Sequence, residues 1–225
     1  MFENIEQMKK DFEAIMEEYD GEDLCDFLDN CGHFSNLGNG SYRAVYEWED
    51  HEDYVIKVQN VSEDAIDYGA SEAFLYECAV AQGLDWAFAA TTYLGRLGNY
   101  MFYLAEYCIC DEDEFSSSVM DYSCEQWIEE AYAYSDETRS HEELTLYYYS
   151  HVSEGYPDTD DCLFYANEVW GVNGAAVFSF IDHYNINDLH GGNWGYREDC
   201  WGNRHLVIVD YGGYNHNILE ENRVA

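Results

Sequence analysis

Leu37-Gly38-Asn39-Gly40-Ser41-Tyr42-Arg43-Ala44-Val45-Tyr46, followed shortly by Tyr54-Val55-Ile56-Lys57-Val58, is the stretch that decides how this chain reads. The first part predicts a glycine turn between two strands, and the second an apolar, β-branched strand that carries a lysine. Glycines at 38 and 40 put no Cβ between the backbone N–H groups and a ligand, so such a turn can cradle an anion. A Gly-Asn-Gly turn alone is equally an ordinary hairpin. Lys57 adds weight. The chain holds 9 Lys and Arg against 47 Asp and Glu, and its only lysines are Lys9, Lys10 and Lys57. A lysine retained on a strand after a glycine turn points to an anionic ligand there, a nucleotide phosphate; the bland alternative is a solvated edge-strand lysine.

Working outward, Glu47-Trp48-Glu49-Asp50-His51-Glu52-Asp53 predicts an acidic hairpin, so 34–58 reads as three strands joined by two turns. Upstream, Ile5, Met8, Phe12, Ile15 and Met16 recur at helical spacing within 3–19, and a second short helix is expected over 22–30. Downstream, 63–82 predicts a helix with Ile66, Ala70, Phe74, Leu75 and Cys78 inward and Gly83 as its stop. Segments 91–97 and 100–107 predict a strand pair around Leu97-Gly98-Asn99. The acidic run 111–114 reads as a lobe boundary. Helices are expected over 122–135, 142–152 and 161–183, the last interrupted by Gly171 and Gly174, and a buried strand over 206–209. The class is therefore α+β: an N-terminal helical extension (1–31), a small antiparallel-sheet lobe (32–108) and a mostly helical lobe (109–225).

At 225 residues the chain is long enough for one domain, or one compact domain in two lobes, and its 47% hydrophobic and 17% aromatic content excludes a disordered acidic tail. A net charge of −38 repels nucleic acid and anionic membranes and favours basic partners. It fits a generally acidic surface, adaptation to salty medium, or imitation of a nucleic acid to occupy another protein's basic groove. Eight cysteines include no Cys-x-x-Cys pair, so structural zinc is not expected. The N-terminus does not read as a signal peptide and no apolar run is long enough to span a bilayer, so a thiol-reduced cytoplasmic setting is expected.

Three further pieces carry chemistry. Glu72, on the helix after Lys57, is placed to pair with that lysine; Glu77 competes for the role. Asn187-Asp188-Leu189-His190-Gly191-Gly192-Asn193-Trp194 sets an Asp and an Asn across a Gly-Gly turn. The Asp can orient or accept a hydroxyl proton and the Asn amide oxygen can ligate a metal, whereas the bland reading is a polar turn closed by Asx hydrogen bonds. Leu206-Val207-Ile208-Val209 then runs into Asp210-Tyr211-Gly212-Gly213, a carboxylate at the end of a strand, suited to magnesium.

In this order the pieces resemble the protein kinase-like superfamily over about residues 34–213. The resemblance implies a bilobal fold and ATP with Mg2+ as cofactors. Gly38 and Gly40 match the glycine-rich loop, Val45 the valine over adenine, Lys57 the strand lysine and Glu72 its helix partner. Ala105-Glu106-Tyr107-Cys108 resembles the hinge that hydrogen-bonds adenine. Asp188 matches the catalytic base, Asn193 and Asp210 the metal ligands. Within the superfamily the chain is most similar to the early-expressed serine/threonine kinases of short-tailed bacteriophages, through Leu37–Gly40, Val55–Val58 and the Asp-x-His-x-Gly-Asn pattern of Asp188–Asn193. That resemblance implies a protein acting in the host bacterial cytoplasm, on basic or nucleic-acid-binding host proteins, without binding nucleic acid or membrane itself. The alternative is an acidic kinase-fold binding protein that blocks a polymerase or defence nuclease; a small-molecule phosphotransferase is a third.

The chain also departs from the pattern. Arg43 replaces the third loop glycine, where it either helps hold ATP or pairs with local acids. Ile186-Asn187 stand in place of His-Arg before Asp188, so control by activation-loop phosphorylation is not expected. His190 replaces the usual catalytic-loop lysine, where it either contacts the transferred phosphate or merely shapes the turn. No Ala-Pro-Glu motif follows Asp210, so 111–186 is expected to supply the substrate platform.

Overall fold

The computed structural model describes residues 4–21, 23–40, 42–61, 66–110, 174–184, 186, 193–198, 201–202 and 204–212. The acidic run 111–114, the helices expected over 122–135 and 142–152, the first part of 161–183, and the candidates Asp188 and His190 lie outside these residues. The chain is mixed α and β and divides into two units, Met1–Tyr76 with Ala90–Tyr107, and Glu77–Ala89 with Cys108–Ala225. The helices expected as a separate extension thus group with the first unit, and 77–89 groups with the second.

The first unit is built on an antiparallel sheet of β1 (Phe34–Asn39), β2 (Arg43–Trp48), β3 (Tyr54–Asn60), β4 (Thr91–Leu97) and β5 (Tyr100–Glu106), ordered β1-β2-β3-β5-β4. Period-two alternation sorts its side chains. Tyr46, Ile56 and Leu104 pair across strands on one face; Val45, Lys57 and Tyr103 pair on the other.

The first face is apolar. Helix α1 (Ile5–Met16) lays Met8, Phe12 and Ile15 against it, and α2 (Leu24–Asn30) adds Leu24 and Leu28 to the same core. The Phe12 ring lies 4.9 Å from Phe102 and 6.3 Å from Trp48. Helix α1 is shorter than the expected 3–19. Asn4 before it is left-handed (φ 62°, ψ 30°), a conformation a helix cannot propagate through. Asp23 caps α2, its carboxylate accepting from the N–H groups of Cys25 (2.9 Å) and Asp26 (3.1 Å).

Helix α3 (Tyr68–Gln82) meets the second face. It starts five residues later than expected because Asp67 caps it, accepting from the N–H of Ala70 at 3.0 Å. Its buried residues also differ from the expected set. Glu72, Leu75, Tyr76 and Ala79 are buried, Ala70, Phe74 and Cys78 only half-buried, and Ile66 precedes the helix. The apolar residues were expected to choose the inner face; instead that face includes a buried glutamate.

In the second unit, β6 (Trp194–Glu198) and β7 (Arg204–Ile208) form an antiparallel pair, and α4 (Gly174–Tyr184) precedes them. Strand β7 covers most of the expected 206–209; β6 was not expected. A 3-10 turn at Asp85–Ala87 leads to Phe88, whose ring packs 5.1 Å from both Phe180 and Tyr211. The Arg197 guanidinium donates to the carbonyls of Trp86 (3.1 Å) and Phe88 (3.0 Å), and the Ala89 N–H donates to the Ile208 carbonyl at 2.9 Å.

Candidate active site

The first unit assembles a polar cluster between the sheet and α3. Lys57 reaches from β3, and its Nζ donates to both carboxylate oxygens of Glu72, at 3.0 and 2.9 Å. Its side chain is 8% exposed and that of Glu72 is 0% exposed, so this is a buried ion pair and not a solvated edge lysine. Charges taken out of water at this depth persist only when well paired. Glu77, the competing candidate, is exposed.

Arg43 joins the same carboxylate, with guanidinium nitrogens 3.0 and 3.2 Å from its two oxygens. Of the two roles read for Arg43, pairing with a local acid is observed, and that acid is the partner of Lys57. Sequence reasoning did not foresee the sharing. The available signal is that Arg43 and Lys57 lie on adjacent strands with the same facing.

Two more ties fix α3. Gln59, two residues beyond Lys57 and facing the same way, accepts from the N–H groups of Tyr68 (3.1 Å) and Gly69 (3.4 Å) and donates to the Ile66 carbonyl. The Tyr103 hydroxyl donates to Asp67 at 2.7 Å, and burial followed by this bond raises its pKa well above the ordinary phenol value. Gly69 makes the close approach possible, since a Cβ there would run into the Tyr103 ring.

Gly38 and Gly40 flank the β1–β2 turn, where the Gly40 N–H donates to the Arg43 carbonyl at 2.8 Å. Neither has positive φ, and a Cβ at Gly38 would meet nothing within 4 Å. Packing therefore gives no reason for glycine at 38, although the register of β1 shifts between Asn36 and Gly38, an irregularity that glycine accommodates. A ligand approaching the backbone from the open side is a reason. Val45 pairs with Gly38 on one side and with Lys57 on the other. In the hinge-like stretch the Glu106 N–H donates to the Ala90 carbonyl (2.8 Å) and the Tyr107 N–H to that of Asp53 (2.9 Å). These two N–H groups are therefore already engaged within the fold.

In the second unit, Asn193 is buried and its carbonyl accepts from the N–H of Val209 (2.8 Å) and of Asp210 (3.4 Å). The two residues read as metal ligands are thus brought together at the backbone. A carboxylate and an amide oxygen are hard donors that suit Mg2+, which takes few protein ligands and completes its shell with phosphate and water. Among the described residues no group of three or more His, Cys, Asp or Glu is placed to hold a metal. Gly195 lies close by in a tight spot: a Cβ there would sit 3.0 Å from Val209 and 3.1 Å from Cys108, so those side chains would have to give way slightly. Cys108 itself is buried with Ala89 and Val207.

Among the described residues no helix is long and apolar enough to cross a membrane. The chain matches no protein-family model and no curated protein.

Proposed function

We propose that this chain is an ATP-dependent serine/threonine protein kinase of bilobal kinase-like architecture, similar to those of short-tailed bacteriophages. The observation that carries the reading is the buried Lys57–Glu72 pair, the contact expected of a strand lysine held ready for phosphates. The close backbone approach of Asn193 and Asp210 supports it further.

In this reading Lys57 binds the α- and β-phosphates and Glu72 sets the position of its Nζ. Gly38 and Gly40 admit the phosphates to the backbone, Val45 covers the adenine, and Glu106 and Cys108 are the hinge residues that would hydrogen-bond it. Asn193 and Asp210 would hold Mg2+, which, when bound, neutralises charge developing on the transferred phosphoryl group. Asp188 orients the acceptor hydroxyl and takes its proton; His190 contacts the phosphoryl group. The chain's contribution is positioning and charge stabilisation. The net charge of −38 favours Lys- and Arg-rich host proteins as substrates, by steering them in.

The test is phosphate transfer from radiolabelled ATP with Mg2+ to proteins of a bacterial extract. The wild type is expected to label protein, and Lys57→Ala and Asp188→Ala to lose the signal by about 100-fold or more. A second reading, favoured by the charge alone, is an acidic kinase-fold protein that blocks a basic host target. It predicts no transfer, with host inhibition unchanged in both variants.

A further inference from the structure

Arg43 stands where the resemblance expects a glycine, and its placement gives it a use. Its backbone carbonyl accepts the Gly40 N–H at 2.8 Å, closing the glycine turn. Its side chain is 9% exposed, and the guanidinium reaches both oxygens of Glu72. The preceding residue, Tyr42, stacks its ring 4.9 Å from that of Tyr68 at the start of α3. Two successive residues at the end of the turn therefore bind it to α3, and one does so through the carboxylate that holds Lys57.

A lysine alone leaves a carboxylate free to rotate about its last bond. A planar guanidinium contacting both oxygens fixes the plane of that carboxylate, as a single ammonium cannot. We propose that Arg43 is a positioning residue for phosphate binding: acting through Glu72, it sets Lys57 Nζ and the Gly38–Gly40 turn in one fixed relation. This rests on the phosphotransfer reading, and it names a residue of this chain that the family pattern does not supply. Glu72 keeps Lys57 as a partner when Arg43 is replaced, so the variants are expected to fold.

The experiment is calorimetric titration of wild type, Arg43→Met and Arg43→Lys with Mg-ATP and, separately, with adenosine, which lacks phosphates. Arg43→Met is expected to weaken Mg-ATP binding about tenfold, with Arg43→Lys between it and wild type, while adenosine affinity changes less than about twofold. Hydrogen exchange across 37–46 is expected to rise in Arg43→Met. Equal loss for adenosine and Mg-ATP would mean general damage to the fold and would overturn the proposal. Unchanged Mg-ATP binding in both variants would overturn it alone. Failure of the wild type to bind Mg-ATP would overturn the phosphotransfer reading and this proposal together.

Discussion

Gly38 allows a structural use of glycine to be tested against a functional one. Its φ is not positive and the space over it is open. Gly38→Ala is expected to leave stability within about 0.5 kcal/mol of the parent, as an unconstrained surface substitution does. Under the proposed function it should nonetheless weaken Mg-ATP, because a methyl group would obstruct phosphate oxygens approaching the N–H groups. Urea denaturation beside Mg-ATP titration separates the two; an unchanged affinity would remove Gly38 from the site. Tyr103 gives a pH test. Its pKa is raised in the fold, so the unfolded chain ionises first, near the ordinary phenol value of 10.0. The unfolded state then binds fewer protons, and the stability this group confers, full below that value, is lost as pH rises beyond it. Melting temperatures at increasing alkaline pH should fall less steeply for Tyr103→Phe than for the parent. Parallel slopes would show that the Asp67 contact does not hold the phenol proton.

At the scale of elements, α3 is where sequence and structure part most usefully. The strands were legible because apolar alternation and glycine turns mark their ends, and Lys57 stood out because lysine is so scarce. Position one helix on left Glu72 and Glu77 both open, and only the family resemblance favoured Glu72. The inner face of α3 was not, because a buried glutamate reads as a surface residue until its partners are known. Strand β6 was missed since Trp194-Gly195 extends a glycine-rich run. Gly195 sits in tight quarters with Val209 and Cys108, which no local pattern reveals. The shared carboxylate of Arg43 and Lys57 depends on register across β2 and β3, and register is a tertiary property. Gly69 sets how near α3 lies to the sheet. Gly69→Ala improves helix propensity by about 1 kcal/mol, yet overpacking against Tyr103 is expected to reverse the sign and cost about 1–3 kcal/mol. A chemical denaturation midpoint above the parent's would show that the helix can withdraw without loss.

For the whole molecule, charge is the dominant fact. With −38 net charges, self-repulsion opposes compactness and salt relieves it. Melting temperature is expected to climb steadily from about 0.01 M to about 1 M salt, as the screening length falls from about 30 Å to about 3 Å. A flat profile in scanning calorimetry would mean that the acids are compensated locally. The polar ties to α3 carry a different consequence, one of sequence in time. They come from Arg43 on β2, Lys57 and Gln59 on β3 and Tyr103 on β5, so the helix has no complete dock until those three strands have found their register. Glu72 gains its partners once β2 and β3 are paired, but the tie of Asp67 to Tyr103 needs loop closure across the whole span from Arg43 to Tyr103. The last of the helix's ties is therefore expected to close only when β5 joins the sheet, which would show as late protection of α3 in pulse-labelled hydrogen exchange.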